Sequence, residues 1–337
     1  MIKVAILGYG FMGKMHARAY ASIPDVEVCA VATRRPLDER KGLPKSVAIF
    51  QDAQAAIRES GADVVDICLP TLLHEAAVCE ACELGLHTLC EKPIALTTAE
   101  ADRMLAAAKR SGRVFMVAQV LRFFAHYRKI RELIEGGEIG ETFYASAQRY
   151  SEPPQWAGWF QVAAASGGAL FDLHIHDLDF LLSIFGLPET VCAKGSRSAS
   201  GAWDQVCNVL SCGATTVLGE AGYRMPAGWP FTTAFRAVGA KGSIDYMFRV
   251  RGNVDKTGDA EKRLMLYRSG RAPIEIEIDD PDPYRRQLEY FLHCVRSGEP
   301  VTEAPPRESR NAIAVLEAAQ RSLESGEQVS LQGCEFI

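Results

Sequence analysis

No run of about 20 apolar residues, the length of a membrane span, occurs in the 337 residues. The longest uncharged stretches, such as Pro153–Phe171, carry Pro, Gly, Gln and Ser, so no membrane segment is expected. Basic charge is short as well. Lys and Arg number 37 against 42 Asp and Glu, a formal charge of −5, and a broad basic footprint for nucleic acid is therefore not expected. Low-complexity tracts and repeats are missing, and 48% hydrophobic with 23% charged residues describes an ordinary globular chain. The ten cysteines have no disulfide-framework spacing, which suits a reducing, cytoplasmic setting. Cys79-x-x-Cys82 alone has redox or metal spacing, but it lies in a helical stretch without a second pair and reads as packing.

What is present begins with a strand. Met1-Ile2-Lys3 runs directly into Val4–Leu7, an apolar run too short for a signal peptide, and then into Gly8-Tyr9-Gly10-Phe11-Met12-Gly13 and a helical stretch. A G-x-G-x-x-G between strand and helix binds dinucleotides for physical reasons. The first glycine makes the tight turn, the second admits a pyrophosphate to the backbone, the third lets helix pack on strand, and the helix N-terminus supplies N–H donors. About 20 residues on, where an acid would hold the ribose of NAD, stand Thr33, Arg34 and Arg35. Guanidinium groups suit a 2′-phosphate, so NADP is preferred over NAD. The alternative leaves the arginines to solvent and gives the ribose to Asp38.

Strands at Val64–Leu69, His87–Cys90 and Val114–Ala118 alternate with helices at His74–Leu84 and Thr98–Ser111, which predicts a doubly wound parallel sheet over residues 1–120. Ligands bind beyond the carboxyl ends of such strands. Pro70, Thr71, Glu91, Lys92 and Pro93 sit at those ends. Residues 121–337 change period: short strands from Thr142–Arg149 to Ile274–Ile278, then helices Tyr284–Ser297 and Arg307–Ser325, predict an α+β domain with an open, mainly antiparallel sheet.

Ser166–Leu182 reads as one helix on which Asp172, His176, Asp179 and Ser183 share a stripe and nearly everything else is apolar. A polar stripe on a buried helix must line a cleft or meet buried partners. Asp172 and His176, at i and i+4, can reach one substrate, and histidine exchanges protons near neutrality. Gly167 and Gly168 before them admit close approach of a cofactor. The same pair also fits a satisfied Asp–His contact that only orients the helix. A metal set at His174-x-His176-Asp177-x-Asp179 is rich in ligand types, but His174 points away from His176.

Gly8–Gly13, Glu91-Lys92-Pro93 and Gly167-Gly168-x3-Asp172-x3-His176-x2-Asp179 together resemble the glucose-fructose oxidoreductase and inositol dehydrogenase family, Gfo/Idh/MocA. So do Leu69-Pro70-Thr71-x-x-His74, Gly136–Gly140 and Gly239–Ser243, and the likeness spans the chain. It implies a Rossmann domain, a C-terminal sheet whose face supports dimers or tetramers, and oxidation of a secondary hydroxyl of a sugar, inositol or related polyol with NAD or NADP. By motif it implies Lys92 at the reacting hydroxyl and cofactor, Asp172 holding substrate and His176 as acid/base. A catalytically silent dinucleotide sensor is the alternative. Phe11, Met12, Thr71, His74 and Glu91 are expected to face cofactor, and Arg122 and Trp159 the substrate. His174, where relatives carry a small residue, either packs or narrows the pocket, and Gln119 stands where many relatives have Asn.

Overall fold

In the computed structural model, which describes residues 1–34, 42–153, 162–251 and 260–332, the chain divides into two units. One comprises Met1–Phe123 with Pro281–Arg310, the other Phe124–Asp280 with Asn311–Ile337.

In the first unit β1 (Ile2–Leu7), β2 (Val26–Ala32), β3 (Ala48–Phe50), β4 (Val64–Ile67), β5 (His87–Glu91) and β6 (Phe115–Ala118) form a parallel sheet in the order β3-β2-β1-β4-β5-β6. Val4–Leu7 and all of β4 are buried, as expected of parallel strands covered on both faces. The strand order reverses between β1 and β4, the place where open α/β sheets bind ligands. The connecting helices are α1 (Phe11–Tyr20), α2 (Ala53–Glu59), α3 (His74–Glu83) and α4 (Thr98–Ser111). Local sequence sets their ends: Thr97 and Glu100 form a capping box on α4, and Gly112, left-handed at φ 64°, stops it. Asp52 caps α2, which with β3 has no counterpart in the sequence reading.

The second unit opens with α5 (Ala125–Glu135) and β7 (Thr142–Tyr150), followed by α6 (Ala163–Ser166), α7 (Gly168–Asp172) and α8 (His174–Phe185). The expected single helix over 166–182 is thus segmented, and Leu173 at φ −95° joins α7 to α8. Strands β8 (Thr190–Arg197), β9 (Trp203–Cys212), β10 (Thr215–Gly222), β11 (Phe231–Gly239), β12 (Gly242–Val250), β13 (Glu261–Arg268) and β14 (Ile274–Glu275) complete a sheet ordered β14-β13-β12-β11-β7-β10-β9-β8, with β15 (Val329–Ser330) beyond β8. Its pairings are antiparallel except β7 with β10. The fold class agrees with expectation, and β14 is shorter than the 274–278 run.

The last helices are α9 (Pro283–Ser297) and α10 (Pro306–Ser325). Leu288, Phe291 and Leu292, spaced as one helical face, bury in the first unit's core beside Val4, Ile6, Tyr20 and Phe123. The division into units therefore differs from a single cut at residue 120. The chain returns to the first unit, and the boundary passes through α10 after Arg310, whose guanidinium holds Asp102 at 2.7 and 2.9 Å.

Candidate active site

The chemistry-bearing residues fall in both units. In the first, Gly8 has φ +92°, and a Cβ there would lie 2.4 Å from the Cys68 carbonyl oxygen. A Cβ on Gly13 would lie 2.0 Å from the Gly8 carbonyl oxygen, so only glycine lets α1 settle on the loop. Gly10 is different. Nothing stands within 4 Å of its would-be Cβ, and as the N-cap of α1 it brings no side chain to the first turn. Two glycines thus serve packing while the middle one leaves open the approach that a pyrophosphate needs, so the residues present fit a dinucleotide. Phe11 and Met12 begin the helix. Thr33 is buried, its amide donating to the Phe50 carbonyl at 2.8 Å, and Arg34 after it is exposed.

Pro70 precedes a 3-10 turn over Thr71–Leu73 in which Thr71 is buried. His74 is 1% exposed, with Nδ1 3.0 Å from the Pro93 carbonyl and Nε2 2.9 Å from the Leu69 carbonyl. Burial lowers its pKa against the opposing pull of those carbonyls, and the ring stands between the turn after β4 and the turn after β5. Glu91 ends β5 and is buried; Lys92, next to it, is partly exposed and makes a cis bond to Pro93. Arg122, expected to face substrate, is 4% exposed, and its Nη1 donates to the Glu303 carbonyl at 3.1 Å and the Glu308 carboxylate at 2.5 Å. Its charge is already met within the unit, which corrects that expectation. The signal lay out of reach, since both partners come from the returning segment.

In the second unit α7 ends at Asp172, and α8 carries His176 and Asp179. Asp172 is buried and accepts a hydrogen bond from the Tyr223 hydroxyl. Burial, and then the Asp172 charge, push the Tyr223 pKa well above its ordinary value, so the phenol remains a donor. Asp179 is buried and His176 is partly exposed. Asp177, off the stripe, is fully buried and bound bidentately by Arg149 at 2.7 and 2.9 Å. This charge-assisted pair fixes α8 to β7.

His174 packs. It is fully buried, its Nε2 lies 2.8 Å from Asn208 Nδ2, and burial lowers its pKa. Its ring is committed to β9, apart from His176, and among the described residues the one cluster of metal-ligand types is His16, Asp66 and Cys68 in the other unit. The glycine pair also has a local reason that differs from cofactor approach. A Cβ on Gly167 would meet Phe171 at 2.5 Å, and one on Gly168 would meet Ala202 at 2.8 Å. Cys79 and Cys82 lie on α3 as free thiols, with Cys82 buried.

Sequence reasoning missed Tyr223, Asn208 and His16, all defined by partners distant in sequence. Arg35, Asp38 and Trp159 lie outside the described residues.

Residues 2–119 match the family described as an oxidoreductase family with an NAD-binding Rossmann fold, and residues 127–245 match the GFO/IDH/MocA C-terminal domain. The chain is 27% identical to the D-glucoside 3-dehydrogenase of Escherichia coli, over 98% of this chain and 97% of that one. It is 26% identical to the myo-inositol 2-dehydrogenase of Thermotoga maritima, over 98% and 99%. The aldose-aldose oxidoreductase of Caulobacter crescentus, solved with glycerol, shares the fold at a TM-score of 0.84 and 22% identity, over 98% and 99% of the two chains.

Proposed function

Because the chain belongs to the Gfo/Idh/MocA family of oxidoreductases, we propose that it transfers a hydride between a nicotinamide cofactor and a secondary hydroxyl or ketone of a sugar, inositol or related polyol. The observation that carries this reading is the buried Asp172 at the end of α7, with the partly exposed His176 four residues on in α8. Asp172 is held by Tyr223, and His176 is the proton-transfer group. When bound, the dinucleotide accepts or returns the hydride.

This chain's residues do the rest. A hydride leaves carbon only as the hydroxyl proton departs, so a base and a cation must act on that oxygen. His176 takes the proton, Lys92 stabilises the developing negative charge, and Asp172 orients a neighbouring hydroxyl. Pro70, Thr71 and Glu91 border the strand ends where the dinucleotide lies, with His74 tying those turns together. Arg34 and Arg35 follow β2 and favour NADP through its 2′-phosphate. A sensor would need the glycine loop but neither His176 nor Lys92, and the two full-length relatives named above are dehydrogenases.

The protein acts as a homodimer or homotetramer in the cytoplasm. The sheet of the second unit turns alternate positions away from α7 and α8, and these include Val209 at 40% and Tyr267 at 38% exposure. A two-sided sheet with apolar residues on its outer face is suited to self-association. Light scattering at micromolar concentration should give a dimer or tetramer mass.

Reduction of NADP or NAD is to be measured with inositols, aldoses and sugar acids. His176→Ala should lower turnover about 100- to 10,000-fold while leaving dinucleotide affinity nearly intact. No turnover of any polyol by wild type, or full turnover by His176→Ala, refutes the reading.

A further inference from the structure

The imidazole of His16 sits inside the first unit, on α1, with no exposed surface. Its Nδ1 is 2.8 Å from Asp66 Oδ2 on β4, and its Nε2 is 3.3 Å from Glu91 Oε1 at the end of β5. The first contact is a hydrogen bond; the second has ion-pair distance without hydrogen-bond alignment. The other oxygen of Glu91 accepts the backbone N–H of Lys92 at 3.1 Å. A chain of contacts therefore runs from Asp66 through His16 and Glu91 to the main chain of Lys92.

Two buried carboxylates within 3.3 Å of one ring favour its charged form. Burial opposes that charge, but the Asp66 carboxylate more than offsets it, and the His16 pKa stands well above its ordinary value. Cys68 Sγ lies 3.6 Å from His16 Nδ1, Tyr20 stands on the same helix, and the Tyr284 ring of α9 is 6.4 Å away between centroids. His16, Asp66 and Cys68 are metal-ligand types within 4.8 Å of one another. The His16–Asp66 spacing is nevertheless that of hydrogen-bond partners, and burial drives the Cys68 thiol away from the thiolate a metal would need.

We propose that His16 is a positioning residue that holds Lys92 in register with α1, acting through Glu91, so that the helix carrying the dinucleotide loop and the residue acting on the substrate oxygen move as one. The glycine loop opens α1 only one and a half turns before His16. A displacement of α1 therefore reaches the Lys92 main chain through one ring and one carboxylate. This inference rests on the hydride-transfer reading for its catalytic consequence, but the mechanical coupling does not depend on it.

Two variants cut the chain at different links. His16→Gln removes the cation. Glu91→Ala removes the carboxylate that grips Lys92 and leaves His16 paired with Asp66, so no buried charge is left unpaired and it is the easier of the two to fold. Each is compared with wild type by hydrogen exchange at the Lys92 amide, with and without NADP or NAD, and by kcat, KM and dinucleotide Kd. Exchange at Lys92 should quicken in both variants. Turnover per folded molecule should fall about 100-fold, the size that a misplacement of about 1 Å produces, with the dinucleotide Kd of His16→Gln held within about threefold. A purely structural role would lower the melting temperature and leave turnover per folded molecule unchanged. That result, or unchanged Lys92 exchange in Glu91→Ala, overturns the proposal. If wild type turns over no polyol while Lys92 exchange still responds to His16→Gln, the hydride-transfer reading fails and the coupling stands.

Discussion

Gly219 on β10 lies against His174 on α8: a Cβ at residue 219 would stand 2.5 Å from the imidazole Cε1 and 2.5 Å from Asn208 Oδ1. The absent side chain is what admits a buried histidine to this layer. Gly219→Ala should destabilise the second unit by about 1–3 kcal/mol through overpacking, seen as a drop in Tm of about 2–4 °C per kcal/mol. In a double-mutant cycle His174→Ala should return part of the loss, and additive effects would contradict the contact.

Tyr223→Phe removes the hydroxyl that holds Asp172. Hydrogen bonds to charged groups contribute about 1.5–3 kcal/mol, so kcat/KM on a polyol substrate should fall about tenfold to a hundredfold. Dinucleotide affinity, measured by fluorescence titration, should stay unchanged.

The fingerprint was legible because each glycine answers a demand within a few residues, and the same holds for Thr97 and Glu100, which cap α4 through their own turn. Gly167 and Gly168 show the opposite case. Their spacing pointed to a cofactor, whereas a Cβ on Gly168 would collide with Ala202, just before β9, and stand 3.0 Å from the Trp203 carbonyl oxygen at its start. Asp172 and His176 stand out by their i, i+4 spacing in an apolar segment, but the role of Tyr223 does not, because nothing near it in sequence marks Asp172 as its acceptor. Arg122 was misplaced for the same reason: Glu303 and Glu308 arrive on a segment some 180 residues later.

Stability should depend on pH at both ends. Burial lowers the pKa values of His74 and His174 below the ordinary histidine value. The unfolded chain takes up their protons first, so their contribution is complete above about pH 6.5 and declines as pH falls below it, by up to about 1.4 kcal/mol per pH unit per group. His16, raised instead, contributes fully below about pH 6.5 and loses that contribution as pH climbs through its raised folded value. Urea unfolding at pH 5, 7 and 9.5 should place wild type's maximum between the extremes, and His174→Gln should flatten the acid side.

Arg34 is exposed immediately after β2. If it meets a 2′-phosphate, Arg34→Ala should weaken NADPH binding by about tenfold to a hundredfold, the worth of a charge-assisted pair, and leave NADH within about twofold. Tighter binding of NADH than NADPH by wild type would remove the NADP preference.

The return of Pro281–Arg310 to the first unit makes the order of synthesis matter. A nascent chain that has emerged only through Phe123 carries the whole parallel sheet but lacks Leu288, Phe291 and Leu292, the face that closes its core. Until nearly the full chain has left the ribosome, Phe123 and its neighbours present bare apolar surface, an invitation to chaperones. A gene fragment cut at that point should express as an aggregating product, and one that restores residues 281–310 through a short linker should yield a soluble dinucleotide-binding module.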